Sequence, residues 1–146
     1  MLVEHAAPSR ADGRRIITFG TFDLFHVGHV NLLRRAKALG DWLVVGVSSD
    51  DLNARKKGRA PFFSLAERLA IVADSRWVDE VFVEEALELK GDYIQQHRAA
   101  VLVMGDDWQG RFDQFGDLCE VTYLTRTPEI SSTQIITVVR GVSSAA

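Results

Sequence analysis

The sequence predicts an α/β protein built on one Rossmann-like parallel sheet of about five strands with helices on both faces. Short apolar runs alternate along the chain with stretches of helical period. The runs are nearly all apolar, as strands covered on both faces are, and right-handed crossovers join such strands into one sheet. A chain of 146 residues, 47% hydrophobic and 25% charged, has the size and composition of one globular domain.

Residues 1–14 hold Pro8, Ser9, Asp12 and Gly13 without any period and read as a flexible N-terminal arm, with 15–141 as a single domain. Ile16 to Phe19 is the first strand. Leu32, Leu33, Ala36 and Leu39 then recur at helical spacing until Gly40 closes the helix. Trp42 to Val47 is the second strand, and the polar, basic stretch from Ser48 to Ala60 reads as a loop. Ser64 and Glu67 form a capping box before a helix that carries Leu65, Leu69 and Val72 on one face and ends near Ser75.

Val78 to Val83 alternates as a third strand, and Leu89 to Arg98 reads as a helix. Val101 to Met104 is a buried-type strand ended by Gly105. The charged, aromatic, glycine-punctuated segment from Asp106 to Asp117 has the character of a functional loop. Glu120 to Leu124 is the last strand. The single cysteine, Cys119, lies in the apolar run from Leu118 to Leu124, has no partner for an internal disulfide, and reads as a buried structural thiol. A final helix begins at Ser131, where Gln134 completes a second capping box, and runs through Ile135, Ile136 and Val139.

The formal charge of −3 gives no bulk attraction to nucleic acid or to an anionic membrane, so a polyanion must be met by locally placed cations. No apolar stretch approaches the ~20 residues that span a bilayer, and the expectation is a cytoplasmic protein. The turn after the first strand lacks the G-x-G-x-x-G spacing of a dinucleotide site, and no Walker A loop occurs.

In open parallel sheets ligands bind beyond the carboxyl ends of the strands, which directs attention to the loops after Phe19, Val47, Met104 and Leu124. The first carries Gly20-Thr21-Phe22-Asp23-Leu24-Phe25-His26-Val27-Gly28-His29. His26 and His29 are three apart at a helix entrance, where free N–H groups and the helix dipole favour an anion, and Gly28 allows close approach to the backbone. The segment suits a phosphate. Simple capping by the histidines and metal ligation remain alternatives, although no third ligand has suitable spacing.

Gly20-Thr21-Phe22-Asp23 with His26-Val27-Gly28-His29 resembles the signature of the cytidylyltransferase branch of the HxGH nucleotidyltransferases. Met104-Gly105-Asp106-Asp107-Trp108-Gln109-Gly110-Arg111-Phe112-Asp113 and Arg126-Thr127-Pro128-Glu129-Ile130-Ser131-Ser132-Thr133 are similar to segments of the glycerol-3-phosphate cytidylyltransferases, and the likeness runs from about Arg15 to Arg140. The resemblance implies transfer of CMP from CTP to a phosphorylated small alcohol, foremost sn-glycerol 3-phosphate, with Mg²⁺ on the triphosphate, a CDP-alcohol and pyrophosphate as products, and a homodimer meeting around Arg76 to Val83. It implies no nucleic-acid or membrane partner. Two readings stay open beside it: an adenylyltransferase of the same fold acting on FMN or a sugar phosphate, and a non-catalytic nucleotide binder.

Carried over residue by residue, the resemblance makes His26, His29, Lys56 and Arg126 catalytic. It gives the nucleotide Gly20, Thr21, Phe22, Gly28, Arg59, Gly105, Asp107, Thr127, Ile130, Ser131, Ser132 and Thr133, with Lys57 as an alternative to Arg59. It gives the acceptor Asp23, Lys56, Arg76 and Lys90. Trp108 reads as a packing residue more than a stacking one. Pro128 and Glu129 stand where the family has Glu and Gly, and Leu87 stands where it often has Trp.

Overall fold

The computed structural model describes residues 10–127 and 131–141. Five parallel strands are ordered β3-β2-β1-β4-β5, with β1 at Arg15–Gly20, β2 at Trp42–Ser48, β3 at Glu80–Glu84, β4 at Val101–Gly105 and β5 at Glu120–Leu124. Successive side chains leave a strand on opposite faces, and the apolar residues divide accordingly. Ile16, Val45, Val47 and Val103 pack with Leu33 and Ala36 of α1 (Val27–Lys37) and Val72 of α3 (Leu65–Ala73). Ile17, Val44, Leu102 and Met104 pack on the other face with Ile94 of α4 (Lys90–Gln96). The predicted sheet with helices on both faces is the one observed.

β1 lies between β2 and β4, so the strand order reverses beside it and a crevice opens beyond the carboxyl ends there. Every loop that the sequence marked for inspection discharges at this end.

Four expectations change. The stretch read as a loop after β2 contains a helix, α2 (Asp50–Lys57): Ser49 accepts from Leu52 N at its start, and Gly58, with φ of 72°, closes it. Its apolar content is too low to show helical period, but its caps and end charges have the right sense. Arg10–Asp12 form a 3-10 turn, and Arg14 donates to Leu39 O and pairs with Glu120, so this end of the expected arm is tied to the sheet. Residues 1–9 lie outside the described residues.

Cys119 precedes β5 and is half-buried, with burial pushing its thiol pKa up; the buried thiol was overdrawn. The helix predicted over Leu89 to Arg98 is shorter at both ends: a 3-10 turn at Leu87–Leu89 precedes α4, and Arg98, with φ of 52°, has left the helix. Between β4 and β5 the chain makes two short 3-10 turns, Asp106–Trp108 and Asp113–Asp117. α5 spans Ser132–Gly141. No described helix is long and apolar enough to cross a membrane.

Candidate active site

The turn after β1 is bent by two non-glycine residues in the left-handed region, Phe22 at φ 55° and Leu24 at φ 48°. Such a backbone costs of order ~1 kcal/mol per residue and persists where surrounding contacts enforce it. The Phe22 ring is buried, and a Cβ on Gly20 would lie 2.8 Å from it, so the ring requires glycine at 20. Asp23, between the two bent residues, accepts from Phe62 N at 2.8 Å and Phe63 N at 2.9 Å. Its own carbonyl accepts from Ser132 Oγ at 2.6 Å. The carboxylate expected to meet substrate thus fastens the basic loop after α2, and the same residue holds the start of α5.

His26 is the N-cap of α1 and His29 the third residue in. Gly28 N donates to His26 Nδ1 at 2.9 Å, and His26 N donates to His29 Nδ1 at 3.0 Å. An Nδ1 that accepts leaves the proton of a neutral imidazole on Nε2. Burial lowers the pKa of His26. His29 is pushed down to about 3, chiefly by burial, then by His26, with Asp23 opposing and Lys57 adding to the shift. The rings, 3.9 Å apart between centroids, are therefore two neutral groups whose remaining N–H bonds are Nε2–H donors. Capping and ligand contact are compatible, because they use opposite sides of each ring.

α2 delivers the cations. Lys56 and Lys57 occupy its last turn, with Arg59 just beyond Gly58. Burial lowers the pKa of both lysines; Glu84 counters this at Lys56, while Arg59 adds to it at Lys57. Below them Arg68 is fully buried and donates to Thr21 O at 2.9 Å, Ser48 O at 2.8 Å and Phe63 O at 3.0 Å, and pairs with Asp50 at 2.7 Å. Buried Asn53 accepts from Thr21 Oγ1 at 2.7 Å and donates to the carbonyls of Ser48 and Ser49. At the far wall Asn31 Nδ2 donates to Thr127 Oγ1 at 3.0 Å, and Gln134 N donates to Ser131 Oγ at 3.0 Å, the half of the expected second capping box that forms.

Most of these groups, though neither Arg68 nor Asn31, line one cleft of about 850 Å³ beyond the carboxyl ends of the strands. Every predicted site residue among the described ones lines it except Arg76, which is exposed and lies over the Trp77 ring at 5.0 Å. Ile130, Pro128 and Glu129 fall outside the described residues. Lys57 and Arg59 both reach the cleft. Trp108 lines it while packing on Phe112 at 5.6 Å between centroids. Six Lys and Arg side chains line the cleft against three carboxylates, and two of those are engaged, Asp23 by backbone amides and Glu84 by Lys90. A net-negative chain thus has a cationic site.

Sequence reasoning missed Asn53, Ser48 and Glu84. Ser48 and Glu84 end β2 and β3, so their position at strand ends was a signal available for both. Asn53 carried none, because it lay in the stretch read as loop.

A cationic cleft at the reversal point of a parallel sheet, with two neutral imidazole donors at a helix start, is built for displacement at phosphorus, and defines an enzyme of the nucleotidyltransferase class. The chain matches the Cytidylyltransferase-like family over residues 17–138, and it belongs to that family. It is 50% identical over 122 residues to a glycerol-3-phosphate cytidylyltransferase of Bacillus subtilis, covering 84% of this chain and 94% of that protein. Against the Staphylococcus aureus protein of the same name the identity is 43%, covering 84% and 92%. In fold it resembles a lipopolysaccharide core biosynthesis protein from Thermoplasma volcanium, with a TM-score of 0.67 and 24% identity, over 79% of this chain and 98% of that one.

Proposed function

We propose that this chain transfers CMP from CTP to sn-glycerol 3-phosphate, releasing pyrophosphate and forming CDP-glycerol. The observation that carries the chemistry is the pair of Nε2–H donors fixed by the capping of α1 within a cationic cleft; the acceptor follows from the activity of the two bacterial relatives.

An oxygen of the acceptor's phosphate attacks the α-phosphorus of CTP in line, and the bond to the β-phosphate's bridging oxygen breaks. No proton need be removed from a phosphate dianion, so the protein's work is alignment and charge stabilisation. His26 and His29 donate to the oxygens on which charge accumulates, and their fixed geometry removes the cost of reorganisation. Lys56 and Lys90 receive the acceptor. Lys57, Arg59 and Arg126 neutralise the triphosphate, with the hydroxyls and amides of Thr127 and Ser131 to Thr133 on its terminal phosphates.

Gly105 and Asp107 face the nucleoside. At Gly105 the backbone is closely covered, since a Cβ would lie 2.6 Å from Asp107 Oδ1. Mg²⁺ enters with the substrate, carried on the triphosphate. A cytoplasmic homodimer completes the reading. β3 is an edge strand, and sedimentation will show whether two copies associate.

The test is pyrophosphate release by purified protein with glycerol 3-phosphate and MgCTP or MgATP, with product identification by mass spectrometry. Turnover with CTP and accumulation of CDP-glycerol are expected. Preference for ATP, or turnover with another phosphoalcohol and none with glycerol 3-phosphate, overturns the assignment.

A further inference from the structure

Among the described residues Glu84 is the one buried carboxylate, 1% exposed at the end of β3. Its Oε2 pairs with the ammonium of Lys90, from α4, which is itself buried and lies 4.0 Å from the centroid of the Phe19 ring and 5.4 Å from that of Phe112. Its Oε1 accepts from Ser48 Oγ at 3.2 Å, and Ser48 Oγ accepts from Lys56 Nζ, from α2, at 3.4 Å. One carboxylate lining the cleft, at the end of β3, therefore gathers two ammonium groups from two helices. A buried ion pair rarely repays its desolvation, and a well-packed apolar pair holds a fold as firmly, so stability alone gives no reason for this arrangement.

The surroundings supply a reason. Lys56 faces Lys90 on α4, Arg68 on α3 and Lys57 on its own helix, all cations, and Glu84 on β3 is the opposing charge. Lys90 faces Glu84. Burial lowers the pKa of both lysines, and Glu84 draws both back up. Without that carboxylate the two ammonium groups would lose their common anchor, and the buried cations would be relieved by losing a proton.

We propose that Glu84 is a positioning residue for the acceptor: its carboxylate, bound directly by Lys90 and through Ser48 by Lys56, sets the placement of the two ammonium groups that receive the phosphoalcohol. The proposal rests on the acceptor assignment above. It makes Glu84 act on the acceptor half of the reaction and leave the nucleotide half alone.

Glu84→Gln keeps the size of the side chain, removes the charge and leaves one oxygen to accept, with an amide donor in place of the other. In the full chain, KM for glycerol 3-phosphate should rise roughly tenfold while KM for CTP stays within about twofold, and the alkaline limb of kcat/KM for the acceptor should move to lower pH. Amine-selective labelling read by mass spectrometry should show Lys56 or Lys90 reacting at a lower pH than in the wild type. If Glu84→Gln does not fold, Ser48→Ala cuts only the Lys56 arm, and should produce a smaller change of the same kind. Unchanged acceptor KM and pH profile, or equal losses for both substrates, overturn the positioning role. Wild-type protein without turnover on MgCTP and glycerol 3-phosphate refutes the acceptor assignment instead, while the labelling still reports on Glu84.

Discussion

At the scale of single residues, the histidine pair shows one side chain serving two ends. Each Nδ1 accepts a backbone N–H of the first turn of α1, and each Nε2–H is left for the ligand. The two duties separate by substitution. His26→Asn restores an N-cap acceptor but lacks the reach of the imidazole, so it should keep stability within a few tenths of a kcal/mol, whereas His26→Ala should lose about 1 kcal/mol. Both should lower kcat by about 10²–10³-fold, the usual loss of one preorganised donor. Urea unfolding alongside steady-state kinetics checks both halves. The sequence placed these histidines correctly at a helix entrance and treated capping as a rival to phosphate binding. Tautomers depend on which backbone amide each nitrogen meets, and spacing does not carry that information.

At the scale of elements, the sheet was legible because β1, β2 and β4 are buried on both faces and read as unbroken apolar runs. α2 was not, because its inward contacts are made by Leu52 and by the amide of Asn53, and the rest of it, Ala54 apart, is charged. Its punctuation alone betrayed it. Ser49 begins it, Asp50 and Asp51 occupy the first turn, Arg55 to Lys57 the last, and Gly58 stops it. Gly58→Ala should cost about 1 kcal/mol, since the left-handed backbone disfavours a Cβ and nothing lies within 4 Å to compensate or clash. Because Lys56 and Lys57 immediately precede that cap, the same change should raise KM for both substrates, measured beside the unfolding midpoint. The surroundings of Asp23 and Arg76 were not legible for a related reason: a matching letter reports that a residue belongs to the neighbourhood, and the partners of its charge are set by the fold around it.

For the whole molecule, charge is distributed so that an acidic chain encloses a basic cleft, and a half-buried neutral histidine makes stability depend on pH. His29 titrates near 6.5 when unfolded, while in the folded chain its pKa is pushed down to about 3. Between those values the unfolded chain holds the additional proton, so this contribution to stability is complete above pH 6.5 and is lost as pH falls toward 3. His29→Gln keeps an acceptor at that position of the helix start and removes the titration. Its unfolding free energy should therefore vary less with pH than that of the wild type over this window, by urea melts at matched pH values.

The double duty of the histidines also bears on inheritance. A descendant that abandoned the reaction would still need acceptors at the head of α1, so selection for a sound helix would go on favouring polar, cap-forming residues at 26 and 29. Catalysis demands more: an imidazole at both places, oriented with its far nitrogen toward the cleft. Within this lineage, a pair decayed to Asn or Ser marks a protein that kept its architecture and gave up its chemistry.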